Sequence, residues 1–124
     1  MTRIFLDTSV LSDKSLTKLA EMLAEHASLG DEFLISVLTH FEVLWGYRMA
    51  NLGSTHYDDF LKRLNIEIAS LLEEDAQLAA DKKPGKGKLV DALVAATVTR
   101  YDSIIWTKDH DFDQFLPEEK VIIL

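Results

Sequence analysis

The chain has 124 residues, a length that fits one domain and not two. Its residues are 48% hydrophobic and 27% charged, which argues against disorder; the absence of cysteine excludes disulfides, a thiol nucleophile and a Cys-ligated zinc. Lys plus Arg (13) against Asp plus Glu (21) leaves a net charge of −8, a balance that argues against a simple polyanion-binding surface.

In chain order, Ile4-Phe5-Leu6 is an unbroken apolar run closed by Asp7-Thr8-Ser9, and predicts a buried parallel strand. Apolar residues at 16, 19, 20, 23, 24 and 27 have helical spacing over Leu16–Leu29, and Gly30 is a natural stop. Phe33-Leu34-Ile35 predicts a second strand, and Val37 to Met49 a helix. Ser54 is placed to cap a third helix running to about Leu64. Ile66–Ala69 is a short strand candidate, and Ser70 with Glu73 has the spacing of a capping box for a helix ending near Asp81. Lys82-Lys83-Pro84-Gly85-Lys86-Gly87-Lys88 is the clearest loop, with four lysines in seven residues. Leu89–Tyr101 is apolar nearly all round and predicts a buried helix. Ser103-Ile104-Ile105-Trp106-Thr107 and Val121-Ile122-Ile123-Leu124 predict two more strands.

Strands separated by helices predict one α/β sandwich over residues 1–124, with a central parallel sheet flanked by helices. The longest apolar stretch, Ala92–Val98, falls far short of the roughly 20 residues of a membrane span. Ile4-Phe5-Leu6 is also too short for the core of a signal peptide. The expectation is a soluble, cytoplasmic protein with no membrane partner.

Four carboxylates occupy places where a carboxylate needs a reason. Asp7 and Asp109 each follow a buried strand at its C-terminal end, where open parallel sheets bind ligands. An acid is also an ordinary turn residue there. Glu42 has Leu38, Trp45, Gly46 and Met49 as helical neighbours, so its carboxylate is expected to be buried; the ordinary explanation would be an ion pair with Arg48 or a more distant base. Asp91 opens an apolar helix, where the helix dipole alone would favour it. A parallel sheet can bring all four to one edge, where like charges repel unless a cation sits among them. An all-oxygen donor set suits Mg²⁺ or Mn²⁺ and phosphoryl chemistry.

With these residues in place, the chain resembles a PIN domain along its whole length. The resemblance rests on Asp7-Thr8-Ser9-Val10-Leu11, then Glu42 within Phe41-Glu42-Val43-Leu44-Trp45-Gly46. It continues with Asp91-Ala92-Leu93-Val94-Ala95-Ala96-Thr97 and Thr107-Lys108-Asp109-His110-Asp111-Phe112. Each motif alone is weak; their order and their spacing of 35, 49 and 18 residues are specific. The compact length is similar to VapC-type toxins of prokaryotic toxin–antitoxin pairs.

The resemblance implies a PIN-like three-layer sandwich with a parallel sheet of four to five strands. It implies a metal-dependent endoribonuclease using Mg²⁺ or Mn²⁺, a homodimer, and a small VapB-like antitoxin that blocks the site. The family's acids fall on Asp7, Glu42, Asp91 and Asp109. Asp7, Asp91 and Asp109 would hold the metal, Glu42 would complete the shell or orient water, and Ser9 and Thr107 would support. Asp111 is the alternative to Asp109 as the nearer ligand. The implied reaction is in-line hydrolysis of an RNA phosphodiester, leaving 5′-phosphate and 3′-hydroxyl ends. Lys86 and Lys88, just before Asp91, are candidates for contact with RNA phosphates.

Other signals are set aside. Asp109-x-Asp111-x-Asp113 is not an EF-hand, because Gln114 and Lys120 stand where Gly and Glu are needed. Gly85-Lys86-Gly87-Lys88 lacks P-loop spacing. His26, His40, His56 and His110 show no paired metal spacing; His26 and His56 are expected at the surface, and His110 is an outer-shell candidate. Trp45 and Trp106 are expected in the core. A haloacid-dehalogenase-like phosphatase would need an Asp where Ser9 stands. The reading from another class is a catalytically silent PIN-like module that binds an antitoxin.

Overall fold

The computed structural model describes residues 1–12 and 14–124. Five strands, β1 (Arg3–Leu6), β2 (Glu32–Ser36), β3 (Glu67–Ala69), β4 (Ile104–Thr107) and β5 (Val121–Ile123), form one sheet. Its order is β3-β2-β1-β4-β5, and every neighbouring pair is parallel. The helices are α1 (Leu16–Ala27), α2 (Val37–Met49), α3 (Thr55–Arg63), α4 (Glu73–Asp81) and α5 (Leu89–Arg100).

Alternation along the strands builds the three layers. Ile4, Leu6, Phe33, Ile35 and Trp106 face one core with Leu16, Leu19 and Leu23 of α1 and Tyr57 and Phe60 of α3. Phe5, Leu34 and Ile105 face a second core with Ala79 of α4, Ala92, Val94 and Val98 of α5, and Phe112, Phe115 and Leu116. Both faces of the central strands are therefore covered, which is why the strands read as unbroken apolar runs. Burying a side chain such as Phe5 or Ile35 completely contributes about 1.5–3 kcal/mol each.

The strand order turns back at β1: β2 and β3 lie on one side of it, β4 and β5 on the other. Leu6 pairs with Trp106, and the Asp7 N–H donates to the Trp106 carbonyl at 3.0 Å. Asp7 thus leaves β1 at the same level as Thr107 leaves β4. That crevice is where an open α/β sheet binds ligands.

Local elements differ from expectation in four places. Helix α1 ends at Ala27, and the chain turns through Gly30 at φ +86°, a conformation glycine adopts without strain. The Ser70–Glu73 capping box does not form. Helix α4 starts at Glu73, and Asp75 accepts the Leu72 N–H at 3.0 Å. Ser54 precedes α3, but its hydroxyl donates to Asp58 Oδ2 at 3.1 Å instead of accepting a backbone N–H. The lysine loop tightens into a 3-10 turn at Lys86–Lys88 that runs into α5.

Trp106 is core, with the rings of Phe33 and His26 edge-on at 6.1 and 5.0 Å. Trp45 is not: it is 55% exposed, with Phe41 at 63% and Met49 at 67%. Helix α2 buries only Thr39 and Val43, so most of its apolar side chains stay partly or fully in solvent. His56 is exposed, whereas His26 is half-buried and paired with Asp31 at 3.1 Å. His40 sits against the Tyr57 hydroxyl at 2.8 Å. Among the described residues, no helix is long and apolar enough to cross a membrane.

Candidate active site

Asp7 ends β1 and starts a 3-10 turn, Thr8–Val10, that brings Ser9 back over it. Asp7 Oδ2 accepts the Ser9 hydroxyl at 2.7 Å and the Thr107 hydroxyl at 2.9 Å. The Ser9 hydroxyl in turn accepts the Lys108 N–H at 2.9 Å, and Thr107 Oγ1 accepts the Asp109 N–H at 3.3 Å. Both hydroxyls thus bridge Asp7 to the backbone after β4, with Thr107 Oγ1 also 3.2 Å from Ser9 Oγ and 3.4 Å from Asp109 Oδ1. The hydroxyl bonds to Asp7 all fall on Oδ2, so its other oxygen is not consumed by them. Asp109 Oδ1 accepts the Asp111 N–H at 3.0 Å, which fixes the turn that presents both acids.

Asp91 lies in the first turn of α5, directly after the 3-10 turn. Its carboxyl is pushed up to about 6, by burial first, then by the charges of Asp111 and Asp7, with Asp109 adding to them and Lys88 opposing. An acid raised in this way by three others shows that Asp7, Asp91, Asp109 and Asp111 share one field. Lys88 Nζ donates to Asp111 Oδ1 at 2.7 Å, and that pair holds Asp111 below the usual carboxylate range.

Glu42 is positioned by α2, which Ser36 caps by accepting the Leu38 N–H at 3.1 Å. The expected burial of Glu42 is not found: it is half-buried, because Trp45, Gly46 and Met49 beside it on the helix are themselves exposed. Arg48 is not its partner either, since Arg48 reaches Ser54. Glu42 Oε1 accepts the Thr8 hydroxyl at 3.0 Å, and a groove of about 340 Å³ lined by Thr8, Leu11, Val43, Tyr47 and Leu52 lies beside it. Thr8 thus joins Glu42 to the turn that carries Asp7 and Ser9. Sequence reasoning passed over Thr8, although its place between Asp7 and Ser9 was the available signal.

The remaining expectations divide. Lys86 is exposed, whereas Lys88 is half-buried and is paired with Asp111. His110 is exposed and bonded to Asp113 at 2.9 Å, away from the outer-shell role.

The donor set is all oxygen and carries several negative charges, which suits a hard divalent cation such as Mg²⁺ or Mn²⁺. The elevated Asp91 carboxyl has the chemistry of a cluster that a cation would relieve. Among the described residues, no three carboxylate or imidazole groups stand close enough to hold an ion as they are.

A sequence model of the PIN domain matches residues 4–115, a span that contains all of these acids. The chain belongs to the PIN domain family. No curated protein matches it. As a PIN domain it shares its fold with solved structures of low sequence identity. A chain of VapBC2 from Rickettsia felis, bound to a DNA fragment from the promoter, superposes with a TM-score of 0.68 at 16% identity, covering 99% of each chain. A toxin–antitoxin complex from Klebsiella pneumoniae gives 0.62 at 18% identity, over 96% of this chain and 95% of that one. VapBC-5 of the VapBC toxin–antitoxin family, from Mycobacterium tuberculosis, gives 0.59 at 17%, over 100% and 98%.

Proposed function

We propose that this PIN domain is a Mg²⁺- or Mn²⁺-dependent endoribonuclease and the toxin of a toxin–antitoxin pair. The observation that carries the reading is the meeting of Asp7, Ser9, Thr107 and Asp109 at the switch point of a parallel sheet, with Asp91 raised by burial and by these acids beside them. Asp7, Asp91 and Asp109 would hold the cation, with Asp111 as the alternative to Asp109. When bound, the ion supplies Lewis acidity, lowering the pKa of a water and neutralising charge on the phosphoryl oxygens.

The chain's own groups do the rest. Ser9 and Thr107 aim Asp7 by donating two hydroxyl hydrogen bonds to one oxygen. Glu42, anchored through Thr8, would complete the shell or orient the water. Lys86, exposed just before Asp91, would meet the phosphates of an incoming strand.

Likeness to complexes named VapBC supports a small antitoxin as partner. The exposed Phe41, Trp45 and Met49 of α2 fit a protein-covered surface, whether antitoxin or second copy. The expected homodimer and cytoplasmic location belong to the same proposal.

A second reading is a PIN fold kept for partner binding without catalysis. It is favoured by the spacing of the acids, no three of which could hold an ion without moving. Cleavage of a generic single-stranded RNA separates the two. The nuclease reading expects cleavage with Mn²⁺, none with EDTA, and a loss of at least about a hundredfold in Asp7→Asn at unchanged circular dichroism. Wild-type cleavage by Asp7→Asn, or by the wild type in EDTA, rejects the proposed site. No cleavage by the purified wild type in Mn²⁺ favours the binding module.

A further inference from the structure

Lys88 stands apart from the other lysines of its segment. Lys82, Lys83 and Lys86 are exposed, whereas Lys88 is half-buried at the end of the 3-10 turn that leads into α5. Its Nζ donates to Asp111 Oδ1 at 2.7 Å, across 23 positions of sequence. The carboxylates of Asp91 and Asp109 act on it as well. One of the acids that the proposed metal site draws on is therefore already paired with a cation of the chain itself, within the field of two others.

An ammonium on Asp111 and a divalent ion drawn to the same carboxylates oppose each other, because like charges repel in a partly screened site. The Lys88 side chain is a flexible four-carbon stem with its head partly in solvent, so it can withdraw at little cost. We infer that Lys88 is a tethered counter-cation of the acid cluster, which holds Asp111 and competes with a divalent ion for the same carboxylates. This rests on the metal-site reading above and adds a determinant of metal affinity to it. Lys88 would act through Asp111 and its neighbours and not on substrate, so it is a positioning residue. Removing it should strengthen metal binding, the opposite of what loss of a phosphate contact or a structural prop would do.

The test is calorimetric titration of the full chain with Mn²⁺, alongside the Mn²⁺-induced rise in Tm as an independent readout. Lys88→Met should bind Mn²⁺ about tenfold or more tighter than wild type, as expected for removing one like charge from a partly screened site. Lys88→Gln should do the same, which guards against a defect peculiar to Met. Lys88→Arg should stay near wild type, because the charge is kept. Adding Asp91→Asn to Lys88→Met should abolish the gain. If wild type and Lys88→Met bind equally, or Lys88→Met binds more weakly, the counter-cation role is rejected while the metal site stands. If the gain survives Asp91→Asn, the ion sits elsewhere and the inference fails. If neither wild type nor Lys88→Met takes up Mn²⁺, both the inference and the metal-site reading fall.

Discussion

Thr107 and Asp7 are 100 residues apart in the chain, and their side chains meet at 2.9 Å. The bond crosses from the end of β4 to the end of β1, the two strands whose parallel register puts these residues level. Thr107 is fully buried, donates to Asp7 and accepts from the Asp109 backbone, so one hydroxyl sets both acids. Thr107→Val keeps the shape but strips the partner from the Asp109 N–H and one of the two hydroxyl donors from Asp7. Urea unfolding should show a loss of about 1–3 kcal/mol, and RNA cleavage should fall while Thr107→Ser restores both. Equal stability of the Val variant would mean that water replaces the hydroxyl.

The Asp91 carboxyl gives stability an unusual pH dependence. Its folded value of about 6 lies above its reference value of 3.8, so the folded chain holds a proton that the unfolded chain releases. The contribution is complete below about pH 4 and disappears as pH rises through 6, so in EDTA the protein should lose stability across that window. Two units would be near 3 kcal/mol, and solvent screening of a partly exposed group reduces this to about 1–2 kcal/mol. Between pH 4.5 and 6.5 in EDTA, Tm should fall further in wild type than in Asp91→Asn. Asp75, Asp111 and Asp31 are all held below their usual range and titrate under this window, so they do not mask it. A wild-type Tm that rises from pH 4.5 to 6.5 would contradict the assignment.

At the other end of α5, an ion pair with a buried carboxylate locks α4 to α5. Asp75 is 1% exposed; burial pushes its carboxyl up, but bonds from Arg100, the Leu72 N–H and Thr97 outweigh that and hold it low. Arg100 Nε and Nη2 donate to its two oxygens at 2.8 and 3.1 Å, and Nη2 also donates to the Ser70 carbonyl at 2.9 Å. Arg100→Met leaves a buried carboxylate short of its counter-charge and should cost about 2–4 kcal/mol by urea unfolding. The double variant Arg100→Met with Asp75→Leu should recover most of that loss. The pair sits outside the acid cluster, so RNA cleavage at temperatures well below Tm should be unaffected.

How far the sequence could be read depends on which residues decide each feature. The runs Ile4–Leu6 and Ile104–Thr107 and the apolar Ala92–Val98 marked β1, β4 and α5 because strands and helices covered on all sides leave no other pattern. Asp7, Asp91 and Asp109 stood out because each interrupts such a pattern. Glu42 misled, since periodicity registers an apolar helix face without saying whether protein or solvent covers it. The α4 start was misplaced for a related reason: Arg100 takes the Ser70 carbonyl and Asp75 takes the Leu72 N–H, two choices made by tertiary contacts. The Lys88–Asp111 pair was equally hidden, because Lys88 reads as one more lysine of a solvated loop until the fold brings the turn after β4 beside it.

That division among the lysines leads to a test on RNA. Lys86 and Lys88 look equivalent in sequence, yet Lys86 is exposed and Lys88 is committed to Asp111. A lysine that meets a phosphate releases a counterion on binding, which lowers the slope of log affinity against log salt by about 0.7–1 when it is removed. Lys86→Ala should show that drop, measured by fluorescence anisotropy with single-stranded RNA in the Asp7→Asn background to prevent cleavage. Lys88→Met in the same background should change the slope by much less, because an ammonium already paired with a carboxylate has little charge left to offer. Equal drops for both would mean that RNA pulls Lys88 off Asp111. No drop for either would place the bound strand away from the start of α5.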